Sequence, residues 1–125
     1  MESRPARVGP DEREVPAGQQ TAAIVREQAF AAADRWVGFV RTQPGEWSGW
    51  HHHGSTDTYL YMLRGLLEFE LASDGSGLAV RPGDFAHIPP HVVHRERTAP
   101  GEGGEAILVR IGLGPTVVNV DGPEG

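Results

Sequence analysis

A chain of 125 residues, 38% apolar and 22% charged, suits one soluble globular domain with a single core. It contains no cysteine, which excludes disulfides, a thiol nucleophile and thiolate metal ligands, so any metal must sit on nitrogen and oxygen. The formal charge is −6 and the 11 basic residues are scattered, which argues against nucleic acid, whose phosphates call for clustered Lys and Arg.

The opening stretch "MESRPARVGPDEREVPAGQQ" lacks the apolar centre of a signal peptide. No apolar run approaches the roughly 20 residues needed to cross a bilayer. The expected protein is soluble and cytoplasmic, with no membrane partner. Residues 1–19 are polar, rich in Pro, Gly and charge, and without periodicity, so they read as a flexible N-terminal arm. The single domain is expected to span residues 20–125.

From Thr21 the pattern changes. "TAAIVREQAF" suits an edge strand followed by a short helical turn, and "AFAAAD" has helix-forming composition, so at most a short N-terminal helix is expected. "RWVGFVRT" is an apolar-rich strand ended by the turn "QPGE". "TYLYMLRG" carries aromatic strand formers. In "LLEFELA", Leu67, Phe69 and Leu71 alternate with Glu68 and Glu70, the period of a half-buried strand. "SDGSG" turns into the short strand "LAV", and the Pro-Gly turn "RPGD" leads to "FAHIPPHVVHRE". "AILVRIGLG" and "PTVVNV" supply the last strand signals before Gly122 and Pro123. About eight or nine short strands with Gly/Pro turns between them describe an all-β antiparallel sandwich or small barrel.

The run "WHHHG" raises a metal site. Strand side chains alternate faces, so His51 and His53 point the same way, about 6.6 Å apart, while His52 faces the other side. Two imidazoles so placed can converge on one ion through bonds of about 2.0–2.1 Å. By itself His-x-His is a weak signal.

The stretch "GEWSGWHHHGSTDTYLYMLRG" resembles the first motif of the cupin family, with Gly45, His51, His53 and Gly65 in place. "GDFAHIPPHVVHRERT" resembles the second, at Gly83, Pro89 and His94. The resemblance covers about residues 36 to 112. It implies a jelly-roll-type antiparallel β-barrel with a metal held inside by His51, His53 and His94 from separate strands. The motif's glutamate is missing: Thr58 or Asp57 falls in its place, depending on the direction of counting. Asp57 is the better ligand, since a neutral hydroxyl competes weakly with water, and the open alternative is a three-histidine face completed by water. His91 stands where the motif has glycine, and Thr98 where it has asparagine. If that backbone position needs φ > 0, His tolerates it better than a β-branched residue would.

The remaining candidates are weaker. Tyr59, Tyr61 and His87 lie beside the proposed ligands and are candidates for a substrate pocket, although "TYLYM" more often builds core and His87 more often lies at the surface. Trp47 and Trp50 flank the first motif, with packing the expected role of at least one. Arg95 and Glu96 suit either a substrate or each other. No catalytic acid or base stands out. The expected cofactor is a divalent transition metal (Fe, Mn, Ni, Co or Zn) on imidazole and oxygen donors. The resemblance implies an enzyme acting on a small organic acid or enolisable carbonyl compound by dioxygenation, isomerisation or cyclisation. Its rival is a non-catalytic module that binds or senses a small molecule, since one barrel hosts many activities. Pairing through exposed strands predicts a homodimer.

Overall fold

The computed structural model describes residues 4–123. Ten strands follow in chain order: β1 (Ile24–Ala32), β2 (Arg35–Thr42), β3 (His51–His52), β4 (Asp57–Arg64), β5 (Leu67–Leu71), β6 (Gly77–Val80), β7 (Phe85–Ile88), β8 (His94–Thr98), β9 (Gly104–Ile111) and β10 (Val118–Asn119). They form two five-stranded sheets, ordered β1-β2-β9-β4-β7 and β10-β3-β8-β5-β6, with every strand pair antiparallel. This is the jelly-roll-type all-β architecture expected from the sequence.

Alternation along each strand builds the interior. Thr58, Leu60 and Met62 of β4 point inward, as do Leu67 and Phe69 of β5 and Ala106 and Leu108 of β9. Trp36, Val40, Val80 and Ile88 complete a core shared by both sheets. Fully burying one such side chain contributes about 1.5–3 kcal/mol, so the core dominates the fold's stability. On the outside of the second sheet, Glu68 and Glu70 lie opposite Arg97 and Arg95 and pair with them at 3.2 and 2.6 Å. Arg95 therefore partners Glu70, not its neighbour Glu96. Its guanidinium also stacks on Trp47 and Trp50, which gives both tryptophans a packing role.

Two local expectations are corrected. Phe30 and Ala31, read as helix-forming, belong to β1 and pair with Val37 and Trp36 across a bulge between Gln28 and Phe30. The ladder to β2 supplies hydrogen bonds that outweigh a weak helix preference. Near the N-terminus, the segment read as a flexible arm is bonded to the barrel before residue 20. Glu14 exchanges two backbone hydrogen bonds with Gln28, and Arg13 pairs with Glu27 at 2.8 Å. Ala17–Gln19 forms a 3-10 turn beside them. Composition alone does not show these partners, which come from a strand later in the chain.

Among the described residues no helix is long and apolar enough to cross a membrane.

Candidate metal centre

The two-residue strand β3 sits between β10 and β8 and places His51 directly opposite His94. His53 follows the strand's end. The three side chains are 0%, 2% and 0% exposed, and one ring nitrogen from each lies within 4.8 Å of the others. Ring centroids are 4.3 to 5.2 Å apart.

Backbone carbonyls orient all three rings. Nδ1 of His51 donates to Gly49 O, Nδ1 of His53 to Thr116 O and Nδ1 of His94 to Val92 O, each at 2.9 Å. A carbonyl only accepts, so Nδ1 carries the proton and Nε2 keeps its lone pair. Nε2 of His51 and of His94 is buried with no hydrogen-bond partner among the described residues. Burial, then repulsion from neighbouring cationic groups, holds His51 and His53 well below the usual imidazole range. Burial lowers His94 to about 4 despite its bond to Val92. Three neutral imidazoles with lone pairs facing a common centre are the donor set a divalent transition metal takes.

Beside His53 lies a cavity of about 20 Å³, room for one water-sized occupant, walled by His53, Thr58, Arg26, Glu96 and Arg110 together with apolar side chains that include Leu60, Leu67, Ile88 and Leu108. Arg26 and Arg110 are each 1% exposed and Glu96 is 8% exposed. Arg26 Nη1 donates to Gln19 O and Thr21 Oγ1, and Arg110 Nε donates to Thr58 Oγ1 at 3.3 Å. Burial raises Glu96 to about 7 against the attraction of the two guanidiniums. It lowers Arg26 to about 10 and Arg110 to about 9.

Sequence reasoning named Glu96 only as a partner for a substrate or for Arg95 and did not single out Arg26 or Arg110, although alternation pointed to all three inward positions. Glu96 shares parity with His94 in "HRERT", Arg26 with Ile24, and Arg110 with Leu108. Read with the period of a strand, each faces the interior.

The other sequence candidates lie elsewhere. Asp57, expected as the fourth ligand, faces outward, its side chain 40% exposed, and accepts a hydrogen bond from His87 Nε2 at 2.7 Å. Inward positions beside it belong to Thr56 and Thr58, each 1% exposed. The turn after His53, with Gly54 at φ 58°, restarts the alternation, so parity with His51 and His53 does not carry into β4. Tyr59, Tyr61 and His87 share that outer face. Tyr59 stacks on His87 with ring centroids 4.7 Å apart and Tyr61 packs on Phe85, so none of the three lines the interior cavity. His52 accepts a hydrogen bond from Gly54 N through Nδ1, away from the centre. His91 adopts φ 63°, the backbone conformation that the glycine it replaces would favour.

Among curated proteins none matches this chain. Solved structures do. The polyketide cyclase RemF from Streptomyces resistomycificus superposes with a TM-score of 0.75 at 20% identity, over 94% of this chain and 86% of that one. An uncharacterized conserved protein with a double-stranded beta-helix domain from Klebsiella pneumoniae gives 0.70 at 21% identity, over 97% and 100%. KdgF from Halomonas sp. gives 0.64 at 22% identity, over 85% and 94%. At these identities the likeness is one of fold. The profile of the cupin domain matches residues 38–112, a span that contains both histidine motifs and all of β3 to β9. With fold, motif spacing and family profile in agreement, the chain belongs to the cupin domain family.

Proposed function

We propose that this cupin is a metal-dependent enzyme acting on a small organic acid or enolisable carbonyl compound, with one divalent transition metal held by His51, His53 and His94. The observation that carries this reading is the set of three buried, neutral imidazoles, each turned by a backbone carbonyl so that Nε2 is free. Fe, Mn, Ni, Co and Zn all accept such nitrogen donors. When bound, an ion of this kind polarises a carbonyl or lowers the pKa of water. The protein's own contribution is the electrostatics of the chamber. Arg26 and Arg110, only partly offset by Glu96, leave net positive charge beside His53, which favours an anionic substrate oxygen at the metal, the chamber itself having room only for a water-sized group. Dioxygenation, isomerisation and cyclisation are the classes open to such a centre, and the likeness to a polyketide cyclase makes cyclisation the first to assay.

Elemental analysis of tag-free protein purified without chelator, beside a His51→Ala/His53→Ala control, tests the reading. The expected result is about one equivalent of a single transition metal, lost in the control. No metal after reconstitution would overturn it and leave a non-catalytic barrel that binds or senses a small molecule.

The active form is read as a homodimer. On the outer face of the first sheet, Phe39, Ile107, Tyr61 and Phe85 stand side by side in register across four strands. Phe85 is 80% exposed and Ile107 40%, so a second copy covering this face would bury an apolar row. Light scattering over a concentration series should give twice the chain mass, and a constant monomer mass would refute it.

A further inference from the structure

The three histidines are sealed. Their side chains are at most 2% exposed, and the chamber beside His53 holds no more than a water-sized group. A metal ion or a substrate therefore reaches Nε2 only if part of the barrel moves. The inner face of the second sheet shows which part. Asn119, His51 and His94 stand directly opposite one another on β10, β3 and β8. On one side this row continues to Leu71 of β5. On the other it ends at β10, the edge strand, and there Gln20 and Thr21 lie against Asn119.

Hydrogen bonds, not apolar packing, hold this segment. None of residues 16–20 is buried, and none belongs to the core cluster. Asn119 Nδ2 donates to Gln20 O, and Thr21 Oγ1 donates to Asn119 Oδ1, each at 2.8 Å. Arg26 Nη1 donates to Gln19 O at 3.0 Å and to Thr21 Oγ1 at 2.8 Å. The Gln20 amide donates to Arg26 O and accepts from Arg26 N. Away from these bonds, Pro16, Gly18 and Gln19 border an open cavity of about 390 Å³, so that side is loosely packed. Accessible hydrogen bonds with few apolar contacts mark the parts of a fold that open first. The segment enters β1 through Ala23, whose φ of 71° is left-handed and strained for a residue with a Cβ. A change of dihedrals there releases strain, which suits a pivot. Upstream, the two backbone hydrogen bonds between Glu14 and Gln28 are the far attachment.

We propose that residues 14–21 form a gate over the metal centre. The segment peels away from Asn119, Arg26 and Gln28, turning at Ala23, and opens the β10 edge so that a metal ion or small molecule can reach His51 and His94. What passes through rests on the metal-centre reading, whereas the motion rests on the geometry alone.

The test uses the whole chain, free of metal, and diethyl pyrocarbonate, which acylates a neutral imidazole nitrogen. Mass spectrometry follows each histidine separately, with the exposed His87 as the internal reference. Asn119→Ala removes both bonds at the edge and should raise labelling of His51 and His94 about tenfold, leaving His87 unchanged. Amide exchange of β9 in the same samples reports global unfolding and should stay at the parent's rate. Glu14→Cys/Gln28→Cys supplies the converse arm in a chain with no other cysteine. Residues that exchange both backbone hydrogen bonds have Cα atoms about 5.5 Å apart, a spacing that a disulfide spans. The oxidised form should label His51 and His94 about tenfold more slowly than the same protein reduced. Labelling unchanged by Asn119→Ala, labelling that rises only in step with β9 exchange, or equal labelling of the oxidised and reduced forms would overturn the gate. Elemental analysis scores the metal separately, so a gated protein that binds no metal would sink the metal centre and leave the gate standing.

Discussion

His87 Nε2 donates a hydrogen bond to Asp57 Oδ1 at 2.7 Å on the outer face of β4 and β7, on the opposite side of the sheet from the three buried histidines. The carboxylate nearest the histidine run in sequence is therefore committed to a surface pair. Both side chains are close to half exposed, and exposed ion pairs contribute about 0–1 kcal/mol. Asp57→Asn and His87→Ala should each retain the metal stoichiometry of the parent protein and lose less than about 1 kcal/mol of stability. His94→Ala should lose the metal. Metal lost from Asp57→Asn but kept by His94→Ala, measured by elemental analysis, would place the centre elsewhere.

Metal-free protein should gain stability as pH rises from about 4 to 6.5. In that window the unfolded chain carries protons on His51, His53 and His94, whereas the folded chain, with all three lowered by burial, does not. Stability rises with pH wherever the unfolded state binds more protons. Glu96 works in the opposite direction, holding its proton to about 7 when folded and releasing it near 4.5 when unfolded. Three histidines outweigh one carboxyl, so the unfolded chain binds about two more protons near pH 5.5. Urea midpoints measured across this range should climb, and a falling series would contradict the buried neutral state of the three rings.

Glu96 supplies a separate test because its sign is the unusual one. A carboxyl whose folded pKa is raised stabilises the fold in its protonated form, and that contribution is lost as pH rises through 4.5 toward 7. Glu96→Gln keeps the shape of the protonated acid and removes the titration. In metal-free protein the variant should match the parent near pH 4.5 and exceed it at pH 8. The full shift corresponds to about 3 kcal/mol as an upper scale. A variant less stable than the parent at pH 8 would mean that the ionised carboxylate between Arg26 and Arg110 is a net stabilising group.

The strand-forming stretches and the parity of His51 and His53 were legible because period-2 alternation needs no knowledge of partners. The left-handed residue His91 was legible through the glycine it replaces. Asp57 was misread because the turn at Gly54 resets parity, a change in backbone direction that residue spacing does not record. Arg26 and Arg110, and the inward direction of Glu96, were missed for another reason. Charged residues in strands are mostly solvated, and only the assembled barrel shows three of them turned inward around one chamber. The N-terminal segment gave no periodic signal since its order comes from Gln28 and Glu27, not from its own composition.

Gly38 sets how closely β1 and β2 pack over Trp36. A Cβ at this position would lie 2.2 Å from Glu27 O and 2.4 Å from Trp36 Cη2. Neither neighbour can move freely. Glu27 is held by Arg13 and Arg41, each at 2.8 Å, and the Trp36 indole N–H donates to Gln28 Oε1 at 2.9 Å. Trp36 is also 1% exposed and wedged in the core. Gly38→Ala should therefore destabilise the protein by about 3 kcal/mol, the upper part of the usual range for overpacking, lowering Tm by roughly 10 °C or more. Gly18→Ala, where an added Cβ meets nothing within 4 Å, is the matched control and should leave Tm unchanged. Combining Gly38→Ala with Trp36→Phe would remove the clash with the indole but not the one with Glu27 O, so recovery should be partial. Thermal melts followed by circular dichroism decide it: an unchanged Tm for Gly38→Ala would mean that β1 and β2 are further apart at this point than the structure places them.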